Sequence, residues 1–244
     1  MHAVVFVFFQ SRIYEVSAMK YRYVDEGLTS GPAVNQADNG WAYKPSPGRF
    51  HSSRREMYQF LALLACLIVQ VAAHGAVSTP TPRALGSAAL GACGTGAYNV
   101  LNSDKYAPIE NAAKKVDANY DEAACHLFFC RGAQLEDNLS NTRVYKPGTV
   151  VPFSVDIEAH HTGYANVSVV DLAAQLPIAR LFTWPVYAND SLGPSQWPKN
   201  ETSFNVTVPD LGGRCASAGA CAIQWWWYGT QVKQTYESCV DFTQ

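Results

Sequence analysis

A histidine that directly follows a cleaved leader offers a metal two nitrogens at once, its α-amine and its ring. His74 is placed to do this. Arg54 and Arg55 precede the apolar run FLALLACLIV at 60–69, and Val71-Ala72-Ala73 closes it in the small-residue manner of a signal-peptide cleavage site. A free α-amine titrates near pH 8, at about 7.7–8.0, so a metal displaces its proton under mild conditions. A second histidine brought across by the fold completes a three-nitrogen site, and amine and imidazole ligands in a tetragonal plane suit Cu(II) best among common divalent metals. Besides His74, residues 74–244 hold His126, His160 and His161. Adjacent residues of an extended chain point to opposite faces, so one member of the 160–161 pair is expected to reach the metal.

Other chemistries have weaker support. Asp156 and Glu158 fall on one face of an extended segment, and paired carboxylates cleave glycosides when they flank the bond. Two acids in a strand more often form a solvated face. The chain lacks the G-x-S-x-G elbow of serine hydrolases and the H-E-x-x-H of zinc proteases. In the tract Trp225-Trp226-Trp227, alternation sends Trp225 and Trp227 one way and Trp226 the other, with most of the tract in a core. Tyr164, just past the histidine pair, and Trp197, in a polar loop, are the candidates for stacking on sugar rings.

The leader organises the chain. A membrane helix needs about 20 apolar residues, so the run ending at Val69 is too short to span and reads as a signal peptide at 57–73, beginning at Met57. Residues 1–56 read as a disordered segment or a gene-model extension, the alternative being a cytoplasmic tail ahead of a short anchor at 58–73. Residues 74–244 carry 11 Lys and Arg against 15 Asp and Glu, a net charge of −4, and no basic field exists to hold nucleic acid. They hold six cysteines, Cys93, Cys125, Cys130, Cys215, Cys221 and Cys239, an even set that suggests three disulfides in an exported chain. The spacing leaves the pairing open, with Cys215 and Cys221 the most plausible local pair. Five N-x-S/T sequons, at Asn138, Asn166, Asn189, Asn200 and Asn205, all follow the leader. The chain is expected to be secreted and monomeric, with no span in its mature part.

Period-two alternation places strands at 149–157, 164–171, 203–208, 221–228 and 235–242, separated by Pro147-Gly148, Gly193-Pro194 and Gly212-Gly213. Short helices are expected at 108–118 and around 121–127. Several short strands with turns between them predict an all-β antiparallel sandwich, with 74–145 as long loops and short helices pinned by disulfides.

The start His74-Gly75-Ala76-Val77-Ser78-Thr79-Pro80-Thr81-Pro82-Arg83 resembles the HGxVxxPxxR opening of lytic polysaccharide monooxygenases of the chitin-binding type-4 group. The end, Gln234-Thr235-Tyr236-Glu237-Ser238-Cys239, is similar to the Q-x-Y motif of fungal members. His160-His161-Thr162-Gly163 resembles the segment bearing the second copper histidine, and Gln224 to Tyr228 the aromatic strand before the last motif. The resemblance implies an immunoglobulin/fibronectin III-like sandwich with a copper histidine brace. His74 would bind through amine and ring, and His161, with His160 as fallback, through its ring. Tyr236 would stand axial to the metal and Gln234 would orient an oxygen species. The implied activity is oxidative cleavage of a chitin- or cellulose-like polysaccharide surface, with an external electron donor and dioxygen or peroxide. The alternative is a non-catalytic copper- or polysaccharide-binding protein of the same fold.

Overall fold

The computed structural model describes residues 74–244, and the expectations for 1–56 and 57–73 lie outside the described residues. The strands are β1 (His74–Thr79), β2 (Arg143–Val144), β3 (Val150–Ala159), β4 (Gly163–Asp171), β5 (Leu176–Tyr187), β6 (Ser203–Thr207), β7 (Cys221–Gly229) and β8 (Gln234–Thr243). They form a three-stranded sheet in the order β1-β3-β6 and a five-stranded sheet in the order β2-β8-β7-β4-β5. All pairings are antiparallel except that of β2 with β8.

The two sheets make a β-sandwich because alternate residues of each are apolar and meet in one core. Val77, Val151, Phe153 and Val155 come from the smaller sheet, and Val167, Trp225, Trp227 and Tyr236 from the larger. Phe153 and Phe204 stack with centroids 5.4 Å apart. Burying one such side chain contributes roughly 1.5–3 kcal/mol. The five strands read from alternation stand within a residue or two of their expected bounds. Among the described residues no helix is long and apolar enough to cross a membrane.

Several elements differ from expectation: β1 and β2 lie within 74–145, where loops and short helices are expected, and the helices and the edge strand differ as well. Ser87–Ser103 forms α1, broken at Gly94, where a loop was expected. Its sequence, with Gly91, Gly94 and Gly96, carries a weak helical signal; packing of Ala97 and Leu101 against Ile109 and Ala112, and a disulfide, hold it. Strand β5 was missed because Pro177 and Pro185 interrupt it and its register shifts in several places. It lies at the sheet edge, where proline is tolerated. The helix expected at 108–118 shortens to α2 (Ile109–Ala113). Beyond it, Asp117 turns the chain by accepting from the backbone N–H groups of Gly96 at 2.7 Å and Asn119 at 2.8 Å. The short α3 (Glu122–Cys125) is capped by Asp121, which accepts from the N–H groups of Ala123 and Ala124.

This helical layer lies on the outer face of β8. Cys93–Cys125 closes it internally, Cys130–Cys239 staples it to β8, and Cys215–Cys221 closes a local loop. Arg83, the last residue of the opening motif, anchors it too. Its guanidinium donates to both oxygens of Asp241, at 2.6 and 2.7 Å, and to Ala133 O at 2.9 Å. Both partners are almost fully buried, so removing the arginine strands a carboxylate at a cost of about 3–5 kcal/mol.

One sequon needs correction. Asn138 is 3 % exposed. Its Nδ2 donates to Ala84 O at 2.9 Å and Gln134 O at 2.7 Å, while its Oδ1 accepts from Ala84 N at 2.8 Å. With both amide hydrogens used inside the fold, Asn138 is a structural residue whose Nδ2 has no place for a glycan. Asn200 and Asn205 are exposed, and Asn166 and Asn189 are half-buried.

Candidate metal centre

Strand registry gathers the proposed residues at one end of the sandwich. His74 opens β1 opposite Ala159, the last residue of β3. His161 follows two residues later in the β3–β4 turn. Gly163, which opens β4, pairs with Gly229 at the end of β7, and Gly229 pairs with Gln234 at the start of β8. Tyr236 stands two residues further along β8.

Close backbone approach explains the glycines of both motifs. A Cβ on Gly75 would lie 3.1 Å from Trp227 Cζ3, a tight approach that glycine relieves as the indole packs under the start of β1. Trp227 in turn stacks on Tyr236, with centroids 4.5 Å apart. A Cβ on Gly163 would lie 1.9 Å from Tyr228 O. That glycine lets the turn bearing His161 close onto β7, where a Cβ on Gly229 would meet His161 Cβ at 3.4 Å.

The ring of His74 is oriented by a carboxylate: Nε2 lies 2.9 Å from Asp104 Oδ2. A bond there requires a hydrogen on Nε2, which makes Nδ1 the lone-pair nitrogen of the neutral ring. A carboxylate on the far nitrogen is the usual support of a metal-bound histidine. Arg131 holds Asp104 in turn. Its guanidinium donates to the backbone oxygens of Asp104 at 2.9 Å and Ala107 at 3.0 Å. Burial lowers the Arg131 pKa to about 10, against the opposing pull of Asp104 and Glu237. Asp104 was not singled out in the sequence, since a lone aspartate after a helix has no pattern. Its side chain meets His74 only once the helical layer has packed against the sandwich.

Tyr236 is buried, and burial pushes its phenol well above the ordinary range, with the charges of Glu110 and Asp104 adding to the effect. It stays protonated and donates to Gln234 Oε1 at 2.8 Å. The phenol and amide thus form one unit, with the amide nitrogen of Gln234 as its donor end. His161 is buried, and its neighbour His160 lies edge-on to Trp197 with centroids 4.9 Å apart.

Trp197 is a second correction. It is 8 % exposed, and its indole N–H donates to Asn189 O at 3.0 Å. A polar loop sequence hid an inward-packed ring, and Trp197 has no face to offer a sugar. Tyr164 is 44 % exposed but stands on the outer face of the large sheet, opposite the inward Tyr236. The acid pair does not form a cleft: Asp156 accepts from Ser78 Oγ at 3.1 Å and Tyr106 O–H at 3.3 Å, while Glu158 faces solvent.

Among the described residues, no three His, Cys, Asp or Glu side chains gather in a metal-sized cluster. A three-nitrogen centre at this end therefore needs a backbone nitrogen, and cleavage after Ala73 would free that of His74. An amine freed at His74 and two imidazoles, with the protonated phenol of Tyr236 at the same end of the sandwich, would suit copper.

A family model described as cellulose-degrading lytic polysaccharide mono-oxygenase matches residues 74–242. Among solved structures, a chitin-binding domain from Burkholderia pseudomallei is similar at 13% identity, covering 70% of this chain and 100% of its own, with a TM-score of 0.33. A comparison with curated proteins finds no match. With the family model spanning the whole sandwich from His74 to Phe242, the chain belongs to the lytic polysaccharide mono-oxygenase family.

Proposed function

We propose that the chain is secreted, is cleaved after Ala73, and acts as a monomeric copper-dependent oxygenase on a cellulose- or chitin-like polysaccharide. The observation that carries this reading is the His74–Asp104 pair at the end of the sandwich that also holds His161 and Tyr236. The amine and Nδ1 of His74 and the ring of His161 would hold the metal. His160 is the weaker candidate because its ring packs against Trp197. When bound, copper supplies the one-electron chemistry by which an external donor and dioxygen or peroxide hydroxylate C1 or C4 beside a glycosidic bond.

The chain's own residues prepare that site. Asp104 holds the hydrogen of His74 at Nε2 and so presents Nδ1. Trp227, wedged under Gly75 and against Tyr236, excludes water from beneath the centre. Tyr236 keeps its proton and fixes the Gln234 amide, whose N–H is placed to donate to a polar species at the centre. No catalytic carboxylate is required, consistent with the tied-up Asp156.

The test is Cu(II) titration of the cleaved protein with EPR, followed by incubation with cellulose or chitin and a reductant. One tightly bound tetragonal copper and reductant-dependent oxidised oligosaccharides are expected. His161→Ala should abolish both, and His160→Ala should not. Tight copper without oxidised products would assign the chain to non-catalytic copper or polysaccharide binding. Absence of tight copper on correctly cleaved protein would remove the oxygenase reading.

A further inference from the structure

The outer face of the large sheet is open where the helical layer stops, over β7, β4 and β5. On this face Tyr164, Asn166 and Ser168 stand in a row along β4, because alternate residues share a side. Across the ladder, Asn166 pairs with Trp226 on one flank and Thr183 on the other, and Tyr164 pairs with Tyr228. Trp226 and Tyr228 stack nearly parallel, 13° apart with centroids at 6.1 Å, and Tyr164 leans on both. The result is an aromatic shelf beside a groove of ≈ 420 Å³ lined by Asn166, Trp226, Tyr164 and Arg180, with Gln224 and Glu237 at its buried floor. That volume lies within the roughly 300–1,000 Å³ of small-ligand clefts.

Asn166-Val167-Ser168 is a sequon, and its asparagine lines the groove. Its Oδ1 accepts from Ser168 Oγ at 3.1 Å. That bond engages the oxygen and leaves Nδ2, the atom a glycan joins, out of it. At Asn138, by contrast, Nδ2 makes two bonds to backbone oxygens. We propose that the groove is the docking site of the chain's own N-glycan, attached at Asn166, with its first N-acetylglucosamine packed on Trp226 and Tyr164. Residues directly across a ladder have Cβ atoms about 4.5–5.5 Å apart, so a sugar ring linked to Asn166 meets the neighbouring indole without a spacer. The ring's C–H face suits an aromatic surface, and its hydroxyl and acetamide groups suit Gln224, Arg180 and Thr183. Covalent attachment makes the contact intramolecular, so a weak sugar–aromatic interaction is still populated. The glycan would cover the apolar shelf and leave the His74 end as the exposed polysaccharide-facing surface. The inference rests on passage through the secretory pathway, which the proposed function also requires.

The test is secretion of the full chain from a eukaryotic host, with glycopeptide mass spectrometry at each sequon and timed release by peptide N-glycosidase from native protein. Asn166 is expected to be occupied. Its glycan should leave native protein about tenfold more slowly than that of Asn205, the factor that about 1.4 kcal/mol of docking supplies, and equally fast after denaturation. Trp226→Ala should remove the delay, and Tyr164→Ser should shorten it should the tryptophan variant fail to fold. A bare Asn166 with Asn205 occupied would overturn this inference alone. A secreted chain with no glycan at any sequon would also overturn this inference alone, whereas retention of an unprocessed chain in the cell, read by intact mass, would overturn it together with the secretion reading. Equal release rates in the native protein, or quenching of tryptophan fluorescence by added cello-oligosaccharide equally in wild type and Asn166→Gln, would overturn it by showing the shelf open to an external sugar.

Discussion

Three consecutive tryptophans in β7 have two different surroundings. Trp225 and Trp227 are fully buried between the sheets. Trp226, one residue away on the same strand, lies half-exposed on the outer face beside Tyr164 and Tyr228. The inner pair touches the core and, through Trp227, the glycine after His74 and the ring of Tyr236. The outer ring packs beside Tyr164 and Tyr228 and lines the groove. Similar side chains therefore support the proposed metal centre on one face and shape a surface on the other, and the strand's period of two makes the division.

The sharpest test of that division is Trp227→Ala. Loss of a buried indole costs about 3–5 kcal/mol, read by denaturant unfolding, and copper affinity should fall with it because Gly75 and Tyr236 lose their shared support. A cost below ~1 kcal/mol would erase the distinction between the faces.

Next comes Glu237, which leaves β8 on the outer face yet is buried beneath the helical layer. Burial pushes its carboxyl from an ordinary 4.5 up to about 8, with Glu110 reinforcing the shift and Arg131 opposing it. Between those values the folded chain keeps a proton that the unfolded chain releases, so stability falls as pH rises through the window. At about 1.4 kcal/mol per pH unit, the loss amounts to a few kcal/mol by pH 9. Glu237→Gln should flatten thermal stability between pH 5 and pH 9, and an unchanged slope would mean that the layer admits water to the carboxylate.

A smaller effect is expected at Asp104. Asp104→Asn keeps the shape but presents the wrong partner to Nε2 of His74, and loss of such support weakens metal binding by about 10–100-fold. Isothermal titration with Cu(II), alongside an unchanged unfolding midpoint, separates positioning from stability. The smallest effect belongs to Trp226→Ala in unglycosylated protein, within about 1 kcal/mol and with copper affinity unchanged. A larger loss would make the outer aromatics part of the core.

The sandwich was legible in the sequence because its strands alternate cleanly, as in Val151, Phe153 and Val155 against their polar neighbours. The edge strand was not, because Pro177 and Pro185 are permitted only where one side needs no partner. The helix at Ser87–Ser103 was hidden because tertiary packing and Cys93–Cys125 hold a glycine-rich segment that propensity alone would not. Trp197 and Asn138 were misjudged for one reason: local polarity does not reveal what folds over a residue.

The residue types at the proposed centre were set by the sequence alone: a histidine after a leader-like segment, a histidine pair before Thr-Gly, and Q-x-Y on the last strand. Those signals are local, and chemistry can be read from them. Only the tertiary structure brought Asp104 onto His74, buried Tyr236 over Trp227, and placed Asn166 beside Trp226. Asp104 reaches His74 only after the helical layer packs on the sandwich, Asn166 reaches Trp226 only when β4 pairs with the distant β7, and Tyr236 faces Trp227 only when β7 and β8 pair.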